Sequence, residues 1–535
     1  MQTSARLLLL SALLFFAAPI APIAAAAAEP QKVPRWSRFE TSLDHSSRVA
    51  DPYRDVALNV TYTRPDGGTV AFWGFYDGGS TWRIRFMPDT VGTWRYDATL
   101  VETTATTPSG AATSTRTVAT RQGTFECVPS DLPGQISLHA ANPQWFGWRG
   151  GDAMLIRALH IGDRFFAKNW DDAKRTAFLD WAQKQGYNTL SIASHYLNRT
   201  STGRGEGWET PRLWPLDAAE YRHMERILDD LARRRIVVYP FAGFFGRDAN
   251  FPGAHNEQTR YIRYTLARLG PAWNVLWNVS GPEPLLRGRP FLTFEEVNRL
   301  GAEIARLDPF RHPISVHNPT GDDPFKDQPW LTYGTLQGPK TFDRAKLRDG
   351  LLKNHHPQKP LLAQETLWSG NSVHMRDNKG VDYSDADLRK NAYVIHFSAA
   401  YLVFSDNSGD SSTGFTGSME LAERRQPRHD IVKRVWDSLA TLPWQRTTPH
   451  PELVAATGGG AAFCLADPGQ TYLVYLESRT TVDVRVTGGP FAVEWINAQD
   501  STDRRRPGLT TDGAKLAPPA AGDDWLLVLT RSPAQ

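Results

Sequence analysis

The sequence predicts an α/β protein, a (β/α)8 TIM barrel flanked by an N-terminal β-sandwich and a small C-terminal β-domain. Three observations carry this reading. Period-two alternation fills the first part of the chain, short apolar runs alternate with helical periodicity through the middle, and alternation returns near the end. A chain of 535 residues also exceeds one domain of ~100 to 200 residues, so several units are expected.

The opening "MQTSARLLLLSALLFFAAPIAPIAAAAAEP" puts Arg6 before an apolar run and ends in alanines. That is the layout of a signal peptide over residues 1–28, with cleavage near Ala28 and a secreted or periplasmic destination. Pro19 and Pro22 break the run, and no later apolar stretch is long enough to span a bilayer, so no membrane insertion is expected. Residues 34–128 form the expected immunoglobulin-like sandwich, with Val56, Leu58, Val60 and Tyr62 alternating in "VALNVTY" and Trp82, Ile84 and Phe86 in "WRIRF". Inside this stretch "TTATTPSGAATSTRT" offers few apolar groups and reads as a long exposed loop.

Residues 134–443 carry the barrel signature, apolar runs interleaved with amphipathic helices. Eight strands are expected, at 153–159, 189–193, 237–241, 274–279, 314–317, 331–336, 361–365 and 400–404. Asp217 with Glu220, and Thr293 with Glu296, resemble capping boxes. Behind them run the stripes Tyr221, Met224, Ile227, Leu228, Leu231 and Val297, Leu300, Ile304, Leu307. An open doubly wound sheet fits less well, because no Gly-rich nucleotide turn is present. Residues 447–532 return to strands in "TYLVYL", "VDVRV" and "WLLVL".

Composition narrows the partners. Lys and Arg total 60 against 57 Asp and Glu, and they are scattered, so nucleic acid is not an expected partner. Arg504 to Arg506 reads as a solvated turn. Only Cys127 and Cys464 occur, which excludes a disulfide framework and leaves at most one long-range bridge. The aromatic content, 18 Trp, 16 Tyr and 25 Phe, supplies flat rings that suit sugar faces as well as cores.

In such barrels the working groups sit at the C-terminal ends of strands and in the loops after them. Reading those positions in order gives His195 and Tyr196, Arg247 and Asp248, Glu283, His317 and Asn318, Tyr333 and Gln337, Glu365 and Trp368, and Asp406 and Asn407. Two carboxylates stand out. Glu283 follows strand four in "WNVSGPEP", held between Pro282 and Pro284 after Gly281, and Glu365 closes strand seven in "KPLLAQET". Acids on opposite walls of one mouth are what glycoside cleavage requires, one protonating the departing oxygen while the other attacks or stabilises the oxocarbenium ion. That chemistry needs no cofactor and no metal, and a poly- or oligosaccharide is the expected partner. A solvated loop acid and a buried ion-pair partner are the plain alternatives for the two positions.

The strand-four and strand-seven segments look like those of TIM-barrel glycoside hydrolases of the large retaining clan with acids after strands four and seven. More closely, the chain resembles bacterial apiosidase-like proteins. Its "FYDGGSTWRIRFMPDTVGTWRY" resembles their N-terminal cellulase-like immunoglobulin domain. Its "CLADPGQTYLVYL", "EWINAQD" and "PPAAGDDWLLVL" resemble the small β-domain labelled collagen-binding. The resemblance implies that Glu283 is acid/base and Glu365 nucleophile, with Tyr333 bonded to the nucleophile and Asn278 or Ser280 near a sugar hydroxyl. One departure stands out: Pro282 occupies the place where most of that clan has Asn.

Other substrate-binding candidates are His195, His317, Gln337 and Asp406, with Trp208, Trp214, Trp277 and Trp368 as ring platforms. Trp368 leads that group, whereas Trp277 has the barrel wall as its alternative. Arg247 with Asp248 reads as a surface pair. A zinc protease would need His-Glu-x-x-His and a serine hydrolase Gly-x-Ser-x-Gly, and neither occurs. His355 and His356 read as a surface pair. The rival class is a carbohydrate-binding or scaffolding protein whose barrel has lost catalysis. Sugar identity and oligomeric state are not legible in the sequence.

Overall fold

The computed structural model describes residues 29–46, 48–106, 112–161, 163–192, 209–240, 244–246, 251–281, 284–285, 292–318, 321–339, 341–364, 366–369, 384–406 and 426–532. The side chains of residues 105–106, 112–113, 163–164, 368–369 and 406 fall outside that description.

A curled parallel sheet occupies the middle. Its strands are β1 (Ala158–Ile161), β2 (Thr189–Ile192), β3 (Val237–Pro240), β4 (Trp277–Asn278), β5 (Ile314–Ser315), β6 (Gly334–Gln337), β7 (Leu361–Gln364) and β8 (Tyr401–Asp406). Hydrogen-bonded neighbours run in the order β3, β2, β1, β8, β7, β6, while β4 and β5 form a parallel pair. Single parallel bridges join Val238 to Val275 and Asn318 to Leu336. Every residue of β1, β2, β3 and β7 is buried. Burial of consecutive residues is expected of a parallel sheet covered on both faces, and it is why these strands read as continuous apolar runs.

Helices α1 (Asp172–Lys184), α2 (Ala218–Arg233), α3 (His255–Leu269), α4 (Phe294–Leu307), α5 (Arg344–Asn354), α6 (Asp385–Phe397) and α7 (Gln426–Leu439) cover the sheet. Both predicted stripes, on α2 and α4, are buried. Thr293 and Glu296 form the reciprocal capping box on α4. On α2 only Asp217 caps, accepting from Ala219 N–H, because Glu220 turns instead to Lys168 and Arg212 N–H. Among the described residues β5 has no helix after it, and 321–333 return through turns. Strand one starts at residue 158 rather than 153, since Ala153 bridges to Gly147 in a separate hairpin, and strand six starts at 334 rather than 331.

The N-terminal unit packs a five-stranded sheet against a three-stranded one. Rings meet between the layers, Phe39 against Tyr96 and Tyr62 against Phe86. The Ser/Thr-rich stretch is not a long loop. It lies on a two-stranded ribbon, Gly92–Thr106 against Ala112–Val128, with residues 107–111 outside the description. Threonine has strong strand preference, and ladder hydrogen bonds hold the largely exposed far end of a ribbon whose base, with Trp94, Leu100 and Phe125, is buried. In the C-terminal sheet, Arg504 to Arg506 belong to the strand Arg504–Thr510 rather than to a turn. That strand ends the sheet order, so its arginines charge an edge that would otherwise invite pairing. Cys127 and Cys464 are buried free thiols. Among the described residues no helix is long and apolar enough to cross a membrane.

Buried ionic seams join the outer sheets to the helices. Arg268 of α3 is fully buried, donating to Glu225 of α2 at 2.6 and 3.0 Å and pairing with Asp77 of the N-terminal unit at 2.9 Å. Arg85 reaches the same Glu225 at 2.7 Å. On the other flank Arg389 of α6 grips Asp524 with two hydrogen bonds, and Tyr393 stacks on Tyr475 at 4.8 Å.

Candidate active site

The C-terminal ends of strands four to seven form a continuous row. Asn278 accepts the main-chain N–H of His317 through Oδ1 at 3.0 Å, tying the end of β4 to the chain after β5. Asn318 bridges to Leu336, and Gln337 pairs in register with Gln364. Asn278 and His317 are fully buried, while Gln337 is half-buried.

Tyr333 lies just before β6, and its hydroxyl donates to the Trp277 carbonyl at 2.9 Å. Trp277 is itself core. Its indole N–H donates to Asp308 at 3.1 Å and its ring packs against Phe244, Phe245 and His312. It belongs to the wall rather than to a stacking platform. His355 is not a surface residue either, because its Nε2 meets Gln144 at 2.7 Å and burial pushes the imidazole down to about 4.

Glu283, Glu365, His195 and Trp208 lie outside the described residues, as do Tyr196, Arg247, Asp248 and Asn407. Trp368 and Asp406 are described as backbone only, on paired segments where Trp368 faces Ser405 and Ser369 faces Asp406. The backbone on either side of each acid is informative nonetheless. Ser280, buried and three residues before Glu283, has φ of 56°, the left-handed region that costs a non-glycine residue about 1–2 kcal/mol. Its N–H donates to Phe245 O at 3.0 Å, and its hydroxyl has no hydrogen-bond partner among the described residues. Strain and an unsatisfied polar atom coincide at the turn that leads to the acid.

At strand seven the pairing changes step. Ala363 pairs with Leu402 and Trp368 with Ser405, so five residues advance on one side while three advance on the other. Two surplus residues therefore lie between these two pairs on the strand-seven side. Gln364 itself reaches across the curled sheet to strands that are not its neighbours. Its Nε2 donates to His160 Nδ1 of β1 at 3.0 Å, and Ser191 Oγ of β2 donates to its Oε1 at 3.0 Å. All three side chains are buried. Gln364 therefore points to the concave interior.

His160, Ser191 and Gln364 were not singled out from sequence. Their only signal is a polar residue late in each apolar run, "ALHI", "TLSI" and "LLAQ". Asp323 was missed too. Its Oδ1 accepts from Asn318 Nδ2 at 2.9 Å and from Phe325 N–H at 2.9 Å, and burial raises the carboxyl to about 6.

Residues 164–403 match the family described as apiosidase-like, catalytic domain, and residues 32–100 match a domain of unknown function (DUF5060). No curated protein matches the sequence. Among solved structures the chain is similar to a candidate glycoside hydrolase from Bacteroides vulgatus ATCC 8482, at TM-score 0.66 and 18% identity over 94% of this chain and 100% of that one. It is also similar to a glycoside hydrolase family 5 protein from the same organism, at TM-score 0.55 and 16% identity over 75% and 93%. A third, named glycoside hydrolase, gives TM-score 0.58 and 14% identity over 75% and 97%. At these identities the likeness is one of fold.

Proposed function

We propose that this chain, whose residues 164–403 match an apiosidase-like catalytic domain, is an exported glycoside hydrolase that cleaves an O-glycosyl bond of a poly- or oligosaccharide with two carboxylates and net retention. Glu283 is the acid/base and Glu365 the nucleophile. The carrying observation is the backbone at the end of strand seven, where Gln364 faces the interior and a two-residue surplus follows at once. Such a surplus lets consecutive residues present side chains to the same mouth. The left-handed Ser280 supports a fixed turn at the other acid.

The eight strands are read as one closed (β/α)8 barrel. The single bridges from Val238 to Val275 and from Asn318 to Leu336 support closure, since they link the β4–β5 pair to both ends of the larger sheet. The N-terminal sandwich (34–128), barrel (134–443) and C-terminal β-domain (447–532) follow a signal peptide over 1–28, and the product is secreted or periplasmic. Asn278, His317, Gln337, Trp368, Asp406, His195 and Trp208 contact the sugar, while Tyr333 backs strand four through the Trp277 carbonyl.

In the first step the protonated Glu283 gives its proton to the departing oxygen as Glu365 attacks the anomeric carbon. In the second, water enters with Glu283 as base. One protonated and one ionised carboxyl give a bell-shaped dependence of kcat/KM on pH.

The test is release of reducing sugar from a panel of plant, bacterial and algal glycans. Glu365→Gln removes turnover but leaves binding. Glu283→Gln lowers kcat about 10²- to 10⁴-fold on poor leaving groups and much less on activated aryl glycosides. Equal losses on both substrate types overturn the acid assignment. Binding by the unaltered chain with turnover of no glycan replaces the enzyme by a scaffold, a reading that the Pro282 departure favours.

A further inference from the structure

A second concave surface lies away from the strand ends just described. A groove of about 250 Å³ runs between the N-terminal unit and the first turns of α3, with Tyr53, Trp73 and Tyr76 on one side and Arg260 and Arg263 on the other. Because α3 begins at His255, after β3, these arginines sit toward the end of the sheet that carries Asn278 and Gln337. The composition of the groove is one-sided: among the described residues three arginines line it and no acid does.

Their pairing is unequal. Arg54 is held by Asp55 at 2.6 Å, on the exposed surface. Arg260 and Arg263 make no ion pair among the described residues, and the nearby Glu303 is taken by Thr259 and Arg299. The guanidinium carbon of Arg263 lies 5.0 Å over the Trp73 ring, and the exposed side chain makes no hydrogen bond or ion pair among the described residues. Such a guanidinium is suited to a carboxylate, which it can bind with two parallel hydrogen bonds. The adjoining rings suit the apolar face of a pyranose. Trp73 and Tyr76 are half-buried and Arg263 is exposed, so the surface is open to a ligand.

We propose that this groove is an accessory binding site for a uronate-bearing oligosaccharide, gripped at its carboxylate by Arg260 and Arg263 and stacked on the Trp73–Tyr76 wall. That the anion is carried on a sugar rests on the glycoside-hydrolase reading; the charge and aromatic complementarity do not. A chain bound here presents a neighbouring stretch to the barrel mouth and lowers KM for long acidic glycans without changing the chemistry on short ones.

The test uses the full chain with Glu365→Gln, so that nothing is turned over. Tri-galacturonate and its neutral, carboxyl-reduced counterpart are titrated calorimetrically. The acidic probe binds about tenfold or more tightly than the neutral one, and Arg260→Ala with Arg263→Ala removes that advantage. Trp73→Ala weakens both probes. Alanine suits a helix at the exposed Arg263 and the half-buried Arg260, and thermal unfolding of each variant checks the fold. Equal affinity for the two probes, no binding of either, or an undiminished advantage in the double variant overturns the proposal. With Glu365 restored, the double variant keeps its kcat on a short aryl glycoside. Groove binding together with turnover of no glycan would defeat the catalytic reading and leave this one standing.

Discussion

Asp323 is a buried acid that the fold tolerates at a cost. Burial lifts its carboxyl from 3.8 to about 6, and Oδ2 has no hydrogen-bond partner among the described residues. In the unfolded chain it ionises near pH 4, whereas the folded chain keeps the proton until about 6. Stability is therefore drawn down as pH rises across that interval, and the penalty is complete above it. Asp323→Asn removes the penalty but leaves an amide at the unpartnered position, for a net gain on the order of 1–2 kcal/mol at pH 8. Urea midpoints at pH 8 and pH 4 check it, with the gain expected only at the higher pH. At this scale the sequence was informative about position and silent about direction. Glu283 and Glu365 are candidates because a strand end is a countable place, and both lie outside the described residues. That Gln364 faces inward depends on how the sheet curls to bring β7 opposite β1 and β2, which no local pattern encodes.

Helix α4 meets its neighbour through an absence. A methyl group at Gly301 would lie 2.4 Å from the ring of Trp330, whose indole N–H is tethered to Asn298 at 2.8 Å. Alanine is worth about 1 kcal/mol to an ordinary helix over glycine, but overpacking costs about 1–3 kcal/mol, so Gly301→Ala should lower stability by about 1 kcal/mol. Chemical denaturation decides it, and a stabilised variant would mean that Trp330 swings aside freely. Elements with strong periodicity were legible, as the buried stripes of α2 and α4 confirm. Errors arose where pairing overrides composition. The threonines of the 92–128 ribbon gain ladder hydrogen bonds that a composition argument ignores, and Ala153 lies in a hairpin beside the parallel strand it was expected to open.

Across the whole molecule, the seam around Arg268 sets the response to acid. Burial alone would raise Glu225, but hydrogen bonds and charge from Arg268 and Arg85 hold it below its ordinary 4.5, and against the same opposing burial Arg83 and Arg268 hold Asp77 below 3.8. Their contribution is intact above the ordinary carboxylate range and is lost as pH falls through the depressed folded values, so unfolding should set in below about pH 4. Arg268→Met removes one arginine from each carboxylate, leaving Glu225 to Arg85 and Asp77 to Arg83 and Arg222, and should cost about 1–3 kcal/mol at neutral pH, read from the denaturant midpoint. Fluorescence and circular dichroism should change together, because the seam binds the outer sheet to α2 and α3. The same bracing, repeated by Arg389 and Asp524 on the far flank, has a mechanical corollary. A body bolted at both shoulders cannot swallow its substrate by clamping one lobe onto another, and its X-ray scattering profile should be superimposable before and after saturation with saccharide.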